Sequence, residues 1–218
     1  LLLTGPLVLI STMICIFFLD KPIAIQAYLF STQILKYHAS PTNLYSGHLF
    51  NLLTELSYLL ITLFFPLYFF LQISQTNKNK KSKFLKFLDS LGFMSLSMAL
   101  AFFIKSTLQV FFGRFGPRYA DSPALLFLRN KNLDGFHFLH QAGSFPSGHM
   151  CVYGAGLMAL GLCYPRLKFL FLSLGVLLGL ILVLLNYHFL SDVIAGSYLG
   201  ATATSALFKT PGVCKKAE

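Results

Sequence analysis

Residues 169–187 read FLFLSLGVLLGLILVLLNY and contain no charged side chain. A helix needs about 20 such residues to cross a hydrocarbon core roughly 30 Å thick. Five more apolar stretches reach or approach that length, at residues 2–19, 49–73, 88–112, 149–164 and 190–208. The pattern predicts an all-α, polytopic membrane protein built as a bundle of six transmembrane helices.

The composition agrees with this fold class. Of the 218 residues, 56% are hydrophobic and 11% are charged, whereas an ordinary soluble domain has roughly 25% charged residues. A water-soluble monomer is therefore excluded. Because only short polar stretches separate the apolar runs, we expect a single integral membrane domain over residues 1–218.

The formal charge of +10 is distributed unevenly between the predicted connections. Residues 75–87 carry a run of lysines, the loop before the fifth helix carries Arg166 and Lys168, and the tail carries more lysines. By the positive-inside rule this side is cytoplasmic, which places both termini inside. We interpret the lysine run as a topology anchor and not as a nucleic-acid site.

The first apolar stretch has no basic flank before it and no small-residue cleavage site before Asp20. We therefore expect an uncleaved first helix. The segment from Ile23 to His38 mixes apolar and polar residues. This mixture favours an interfacial helix that lies along the membrane surface between helices one and two.

Small residues recur four apart in the last two predicted helices, at Gly175 and Gly179 and at Gly196 and Gly200. This spacing permits close approach of helix backbones, and we expect it to serve packing within the chain. The four cysteines form no CxxC pair. They suggest neither a metal site nor a disulfide framework.

Polar and ionisable residues gather at the predicted membrane face opposite the lysine run. Ionisable groups at membrane depth are costly and mark functional sites. They lie at the outer end of the third helix, before the fourth helix and before the sixth helix, as Lys105, Gln109, Arg114, Arg118, Ser144, Pro146, Ser147, Gly148, His149, His188 and Asp192.

Each of these three groups has an evident use in phosphoryl transfer. His188 and Asp192 are four apart and share a helical face. The carboxylate can hold one ring nitrogen while the other acts as nucleophile or base. The stretch at residues 146–149 fits a helix N-terminus, where free N–H groups and the helix dipole attract phosphate. Arg114 and Arg118 offer forked donors for phosphate oxygens.

With these residues the chain resembles the type 2 phosphatidic acid phosphatase (PAP2) family, whose signatures are K-x6-R-P, P-S-G-H and S-R-x5-H-x3-D. Residues 146–149 read PSGH, and His188-x3-Asp192 matches the end of the third signature. Each of these motifs opens a predicted helix on the same side. The resemblance covers residues 88–208 and implies the six-helix fold of that family.

The first and third signatures are irregular. Residues 112–114 read FGR as in the family, but residues 115–118 read FGPR where R-P is expected, and Gln109 stands in the place of the lysine. Lys105 lies one turn earlier, about 6 Å deeper, and its long stem is expected to reach the site.

In the third signature, Leu182 stands in the place of the arginine. One phosphate-binding cation is therefore absent from its usual position. Arg118 is the expected substitute, with Arg129 and Lys131 as further candidates.

The resemblance implies a metal-independent phosphatase that needs no cofactor. His188 would attack phosphorus to give a phosphohistidine, and Asp192 would orient its ring. His149 would protonate the leaving oxygen and then activate water. The residues expected to hold the phosphate oxygens are Arg114, Arg118, Ser147, Gly148 and Lys105.

The resemblance also implies a substrate class and a location. The expected substrate is a phosphomonoester or diphosphate of a lipid, such as undecaprenyl diphosphate, phosphatidylglycerol phosphate or lipid A phosphate. The expected partners are this lipid and membrane lipids, without nucleic acid. The expected location is a bacterial inner (cytoplasmic) membrane, with the active site facing the periplasm.

Two alternatives remain open from the sequence. The same residues would make a lipid phosphotransferase if the phosphate passed to another lipid. The other alternative is a noncatalytic lipid-binding or transport protein on a degenerate phosphatase scaffold. Leu182 favours it, because the arginine of the third signature is missing there. The retained His149, His188 and Asp192 favour the enzyme, because a mere binder needs neither a nucleophile nor an acid.

Three further polar residues have open roles. Glu55 lies within the second predicted helix and is protonated, paired or near substrate. His137 and His140 are three apart in the long outer loop. Without an evident third ligand, we expect them to shape the pocket entrance or face solvent and not to bind a metal.

Overall fold

The structure is a computed structural model that describes residues 4–34, 44–74, 83–117, 136–139 and 143–209. Seven α-helices make up most of these ranges, and the described residues form no β-strand beyond one isolated bridge between Arg114 and Phe136. The prediction of an all-α fold is confirmed. The helices are α1 Thr4–Ile14, α2 Asp20–Leu29, α3 Leu44–Ser74, α4 Lys83–Phe112, α5 Gly148–Cys163, α6 Lys168–Leu184 and α7 Leu190–Phe208.

The N-terminal helices differ from the predicted boundary. The first helix was expected to end at residue 19, but π-helical turns at Cys15–Leu19 join α1 to α2 without a break. Pro22 lacks the N–H that would bond one turn back, and a local π-turn accommodates that loss. The helical backbone continues to Ile34, and α2 packs against α6 and α7. The interfacial placement of this segment stays a prediction.

Three helical stretches of the described chain are long and apolar enough to cross a membrane, at Thr4–Gln33, Phe84–Phe112 and Pro165–Leu184. Asn51–Leu67 and Gly148–Cys163 are shorter apolar helices. Apolar side chains on the outside of the bundle are widely exposed, as in the chain's N-terminal helix and in α6. A surface of this kind suits lipid and not water, so the chain is a membrane protein.

Helix α5 is the centre of the bundle and packs against α4, α6 and α7. Its closest neighbour is α7, because Gly196 and Gly200 lie directly against the α5 backbone. A Cβ on Gly200 would overlap the carbonyl oxygen of Cys151 and lie 2.9 Å from the Ala155 nitrogen. The predicted small-residue face of the last helix is therefore confirmed, and it joins the two helices that carry the PSGH and H-x3-D residues.

We predict that Gly200→Ala destabilises the fold, because its methyl group overlaps α5 backbone that cannot move aside like a flexible side chain. Overpacking of this kind typically costs about 1–3 kcal/mol. Thermal unfolding in detergent can be followed with a thiol-reactive dye, since Cys15, Cys151 and Cys163 are buried free thiols.

Gly175→Ala is the matched control, since its Cβ would lie 3.6 Å from Leu157, an ordinary contact. This control should melt at or slightly above the wild-type temperature, because alanine favours a helix over glycine. Equal melting of Gly200→Ala and Gly175→Ala would contradict the close α5–α7 contact.

Candidate active site

Three chain segments meet at the end of the bundle where the sequence analysis places the site. One follows α4, one precedes α5 and one precedes α7. The backbone joins them directly: the Ser144 N–H donates to the Arg114 carbonyl over 2.9 Å, and the Ser147 N–H donates to the Asp192 carbonyl over 3.0 Å. The predicted assembly of polar residues from separate helices is therefore present.

His188 and Asp192 lie together, with 3.6 Å between His188 Nδ1 and Asp192 Oδ2. Ser144 stands between them: its hydroxyl donates to Asp192 Oδ2 over 2.6 Å and lies 3.3 Å from His188 Nδ1. Because the one hydroxyl hydrogen goes to Asp192, the oxygen accepts at Nδ1. The tautomer that satisfies these partners carries its hydrogen on Nδ1 and leaves the lone pair on Nε2.

The backbone at the start of α7 also holds the Asp192 carboxylate. The Phe189 N–H donates to Asp192 Oδ2 over 3.1 Å, as in a capping box. Asp192 itself is fully buried. Its carboxylate therefore has fixed partners on the side that faces His188.

A cavity of about 280 Å³ opens beside His188. The His149 ring also lines it, and the centroids of the two rings are 6.1 Å apart. This separation leaves room for one phosphoryl group, since reacting atoms lie about 3–3.5 Å apart before attack. The residues that line the cavity are Asn51, Thr54, Ser57, Phe102, Lys105, Gln109, Gly143, Gly148, His149, Val152, Tyr153, Tyr187 and His188.

Lys105 projects from α4 into the cavity wall and lies beside Gly148 at the start of α5. Its ammonium donates to Gln109 Oε1 over 3.2 Å, and Gln109 Nε2 donates to the Pro146 carbonyl over 3.0 Å. A Cβ on Gly148 would lie 3.6 Å from the Lys105 nitrogen. The expected reach of Lys105 to the level of Gln109 thus matches its geometry, and two of the five predicted phosphate ligands, Lys105 and Gly148, line the cavity.

Ser147 has a different position from the one expected of a phosphate ligand. It is the N-cap of α5, and its hydroxyl oxygen accepts from the Met150 N–H over 3.4 Å. Its side chain is fully buried and is not part of the cavity wall. The hydroxyl therefore stabilises the helix start that presents Gly148 and His149.

Arg114 likewise binds protein groups and not the cavity. Its Nη1 donates over 2.7 Å to Asp192 Oδ1 and over 2.7 Å to Ser191 Oγ, and its Nη2 donates over 2.9 Å to Asp20 Oδ2. Only 2% of its side chain is exposed, and it lies outside the cavity wall. The expectation of direct phosphate binding finds no support in these contacts.

The guanidinium of Arg114 stays charged in this setting. Burial lowers the pKa of Arg114, but the carboxylates of Asp192 and Asp20 raise it by more, so the net pKa lies above its usual value. The Phe189 ring covers the guanidinium, with 4.3 Å between the ring centroid and the central carbon. Arg114 is thus a buried cation that holds two acids.

The other positions that were considered for phosphate binding or for the pocket entrance either lie outside the described residues or have an apolar side chain. Arg118, Arg129, Lys131 and His140 lie outside the described residues. Leu182, in the place of the family's arginine, is fully buried in an apolar cluster.

Three other positions, Gly116, His137 and Glu55, do not line the cavity. A Cβ on Gly116 would lie 2.9 Å from Ser144 Oγ, so a side chain there would displace the serine that contacts His188. His137 packs edge-on against Phe115. Glu55 is exposed on α3 and does not line the cavity.

Three contributors to the site received no role from the sequence. Asp20 stands at the end of the first predicted helix, and Ser144 is one of the polar residues before the fourth helix, without a role of its own. Thr54 lies 3.4 Å from His149, measured between Oγ1 and Nε2. A signal existed for Thr54, because Asn51, Thr54 and Ser57 recur three apart in an otherwise apolar helix and therefore share one face.

Comparison with known proteins shows a family match and two curated relatives. A family model described as the PAP2 superfamily matches residues 90–215. A "Lipid A 1-phosphatase" of Rhizobium johnstonii is 43% identical over 58 residues, which are 27% of this chain and 24% of that protein. A "Lipid A 1-phosphatase" of Rhizobium etli is 42% identical over 57 residues, 26% of this chain and 25% of that protein. The matches thus span about a quarter of each relative. No solved structure matches the chain.

Proposed function

The chain belongs to the PAP2 superfamily, and from this premise we propose that it is a membrane lipid phosphatase. It hydrolyses a phosphomonoester or diphosphate of a lipid. The observation that carries the proposal is the His188 ring, held at Nδ1 by Ser144 and Asp192 and facing His149 across a cavity. A nucleophile, its orienting acid and a second histidine suit phosphoryl transfer better than simple lipid binding.

In the first step, His188 Nε2 attacks the phosphorus. An N–P bond forms as the bond from phosphorus to the lipid oxygen breaks, and His149 donates a proton to that leaving oxygen. The Nδ1 hydrogen of His188 stays on the side of Ser144 and Asp192, which stabilises the positive charge on the phosphorylated ring.

In the second step, His149 takes a proton from a water molecule, and the oxygen of that water attacks phosphorus. The N–P bond breaks, inorganic phosphate forms and His188 regains its lone pair. The Lys105 ammonium and the backbone N–H groups at the start of α5 hold the phosphate oxygens as charge spreads over them. In this scheme His149 makes both proton transfers, and Lys105 and the backbone N–H groups compensate the negative charge, so that no metal is needed.

A phosphorylated sugar lipid is the substrate that the cavity suits best. The polar face of α3 (Asn51, Thr54, Ser57) lies on the same cavity as His149. The polar face of α3 is therefore next to the expected leaving group of the substrate. The hydroxyl groups of a sugar can form hydrogen bonds with this face, whereas a polyprenyl chain cannot. Both relatives are named as acting on lipid A, which agrees with this choice. The competing substrates are undecaprenyl diphosphate and phosphatidylglycerol phosphate. The competing reaction is transfer of the phosphate to an acceptor lipid.

We place the reaction on the periplasmic side of a bacterial inner membrane. The site lies at the C-terminal end of α4, opposite the end that begins at Lys83, and at the N-terminal ends of α5 and α7. Lys83 belongs to the lysine run of residues 75–87 in the sequence. The positive-inside rule puts that run in the cytoplasm. The lipid tail would remain in the bilayer while the phosphate enters the cavity.

We predict that the wild-type protein in detergent releases phosphate from lipid A phosphate with EDTA present, and that His188→Asn does not. The substitution keeps a polar side chain but removes the nucleophile, so the loss should exceed about a thousandfold. Released phosphate is the measurement, over a panel that includes the competing substrates. His137→Asn is the matched control and should keep wild-type activity.

Different results would reject different parts of the proposal. Phosphate release from no substrate would favour the noncatalytic lipid-binding protein. Equal release by wild type and His188→Asn would refute His188 as nucleophile. Activity that disappears with EDTA and returns with a divalent metal would reject the metal-free scheme.

We also predict that Lys105→Met lowers kcat/KM about tenfold or more, through kcat as well as KM, because a charge-assisted hydrogen bond to phosphate is worth about 1.5–3 kcal/mol. Lys168→Met is the control, since Lys168 is exposed at the first residue of α6, away from the cavity. Unchanged kinetics of Lys105→Met would show that another cation holds the phosphate.

A further inference from the structure

We propose that Asp20 is a positioning residue for the reaction. By binding Arg114, Asp20 prevents the guanidinium from binding Asp192 Oδ2, the carboxylate oxygen that lies near His188. The inference rests on the proposed function, because it needs Asp192 to orient His188. Asp20 comes from the N-terminal helices, outside the residues 90–215 that the family model covers. The first helical segment would thereby contribute to the chemistry.

Asp20 is held by three hydrogen bonds in a buried cluster. Arg114 Nη2 donates to its Oδ2 over 2.9 Å, and the Ser191 N–H donates to its Oδ1 over 3.0 Å. The Ser191 hydroxyl also donates to Asp20 Oδ2. The side chains of Asp20 and Arg114 are each 2% exposed. The carboxylate thus satisfies an N–H at the start of α7 that has no partner within its own helix.

This arrangement divides the guanidinium between two acids. An arginine fork prefers to bind one carboxylate through two parallel hydrogen bonds. Here Nη2 is taken by Asp20, so Arg114 reaches Asp192 through Nη1 and binds Oδ1. Asp192 Oδ2 is left for Ser144 and for the Phe189 N–H, and it stays near His188.

Charge leads to the same conclusion. Arg114 alone would neutralise Asp192, and a neutralised pair gives little support to the positive ring that forms when His188 takes the phosphoryl group. With Asp20 the cluster has two carboxylates and one guanidinium, which leaves one negative charge in a buried site beside His188. Such fixed charge acts strongly where water is excluded.

The first test is Asp20→Asn, which keeps the shape but removes the charge and weakens the hold on Arg114. We expect kcat to fall about ten- to hundredfold, the effect of a small displacement of a catalytic group. KM should stay within about twofold, because Asp20 does not touch the cavity, whereas the melting temperature should fall, because Arg114 loses one of its two buried carboxylate partners. A wild-type kcat in the folded variant would overturn the proposal.

The matched control is Asp89→Asn. Asp89 is a partly buried carboxylate near the other end of α4, far along the chain from the cluster. Its substitution should leave kcat unchanged. An equal loss of kcat in both variants would show a general effect of removing an acid from the bundle and would also overturn the proposal.

The second test is the pair Asp20→Asn with Arg114→Met. It removes both charges, so it leaves no guanidinium that can turn onto Asp192. If Asp20 acts by restraining Arg114, kcat should recover to within about tenfold of wild type. A folded pair variant that is as inactive as His188→Asn would overturn the proposal.

Failure of the proposed function and failure of the role of Asp20 give different results. If the wild-type protein releases phosphate from no lipid, the proposed function fails. If the wild type is active and Asp20→Asn is equally active, only the role of Asp20 fails.

Discussion

The buried carboxylate of Asp192 is the group on which the other contacts of the site depend. Its two oxygens face different partners: Oδ1 accepts from Arg114, whereas Oδ2 accepts from Ser144 and from the Phe189 N–H and lies near His188. A charge taken out of water is costly unless it is paired and hydrogen-bonded, and removal of one partner is strongly destabilising. The loops after α4 and before α5 and α7 therefore converge on this carboxylate. Its position fixes the ring of His188.

The packing of α5 on α7 sets the other half of the geometry. Gly196 and Gly200 bring the two backbones into contact, and the Ser147 N–H reaches the Asp192 carbonyl at the end of that contact. Because His149 follows Ser147 closely on α5, the same contact places its ring 6.1 Å from that of His188, measured between centroids. A sequence feature that serves helix packing thus determines the distance between the proposed nucleophile and the proposed acid.

Local patterns were sufficient for the helices and for the residues nearest the chemistry. The last helix lies at 190–208, as its apolar run predicted, and the i, i+4 spacing places His188 and Asp192 together. Contacts distant in sequence were not predictable in this way. Asp20 and Arg114 meet across 94 positions, so Arg114 was expected on phosphate and Asp20 was given no role. The π-turns at Cys15–Leu19 likewise arise from a proline whose effect on a continuous helix cannot be deduced from hydropathy.

The central claim is that His188 forms the covalent bond to phosphorus. A direct measurement uses His149→Asn and a ³²P-labelled aryl phosphate, whose phenolate leaves without needing a proton, so that the intermediate forms but is hydrolysed slowly. After rapid quenching, the account predicts base-stable, acid-labile label on the peptide that contains His188. Consumption of the aryl phosphate with no label on that peptide, or with acid-stable label on a hydroxyl group, would contradict it.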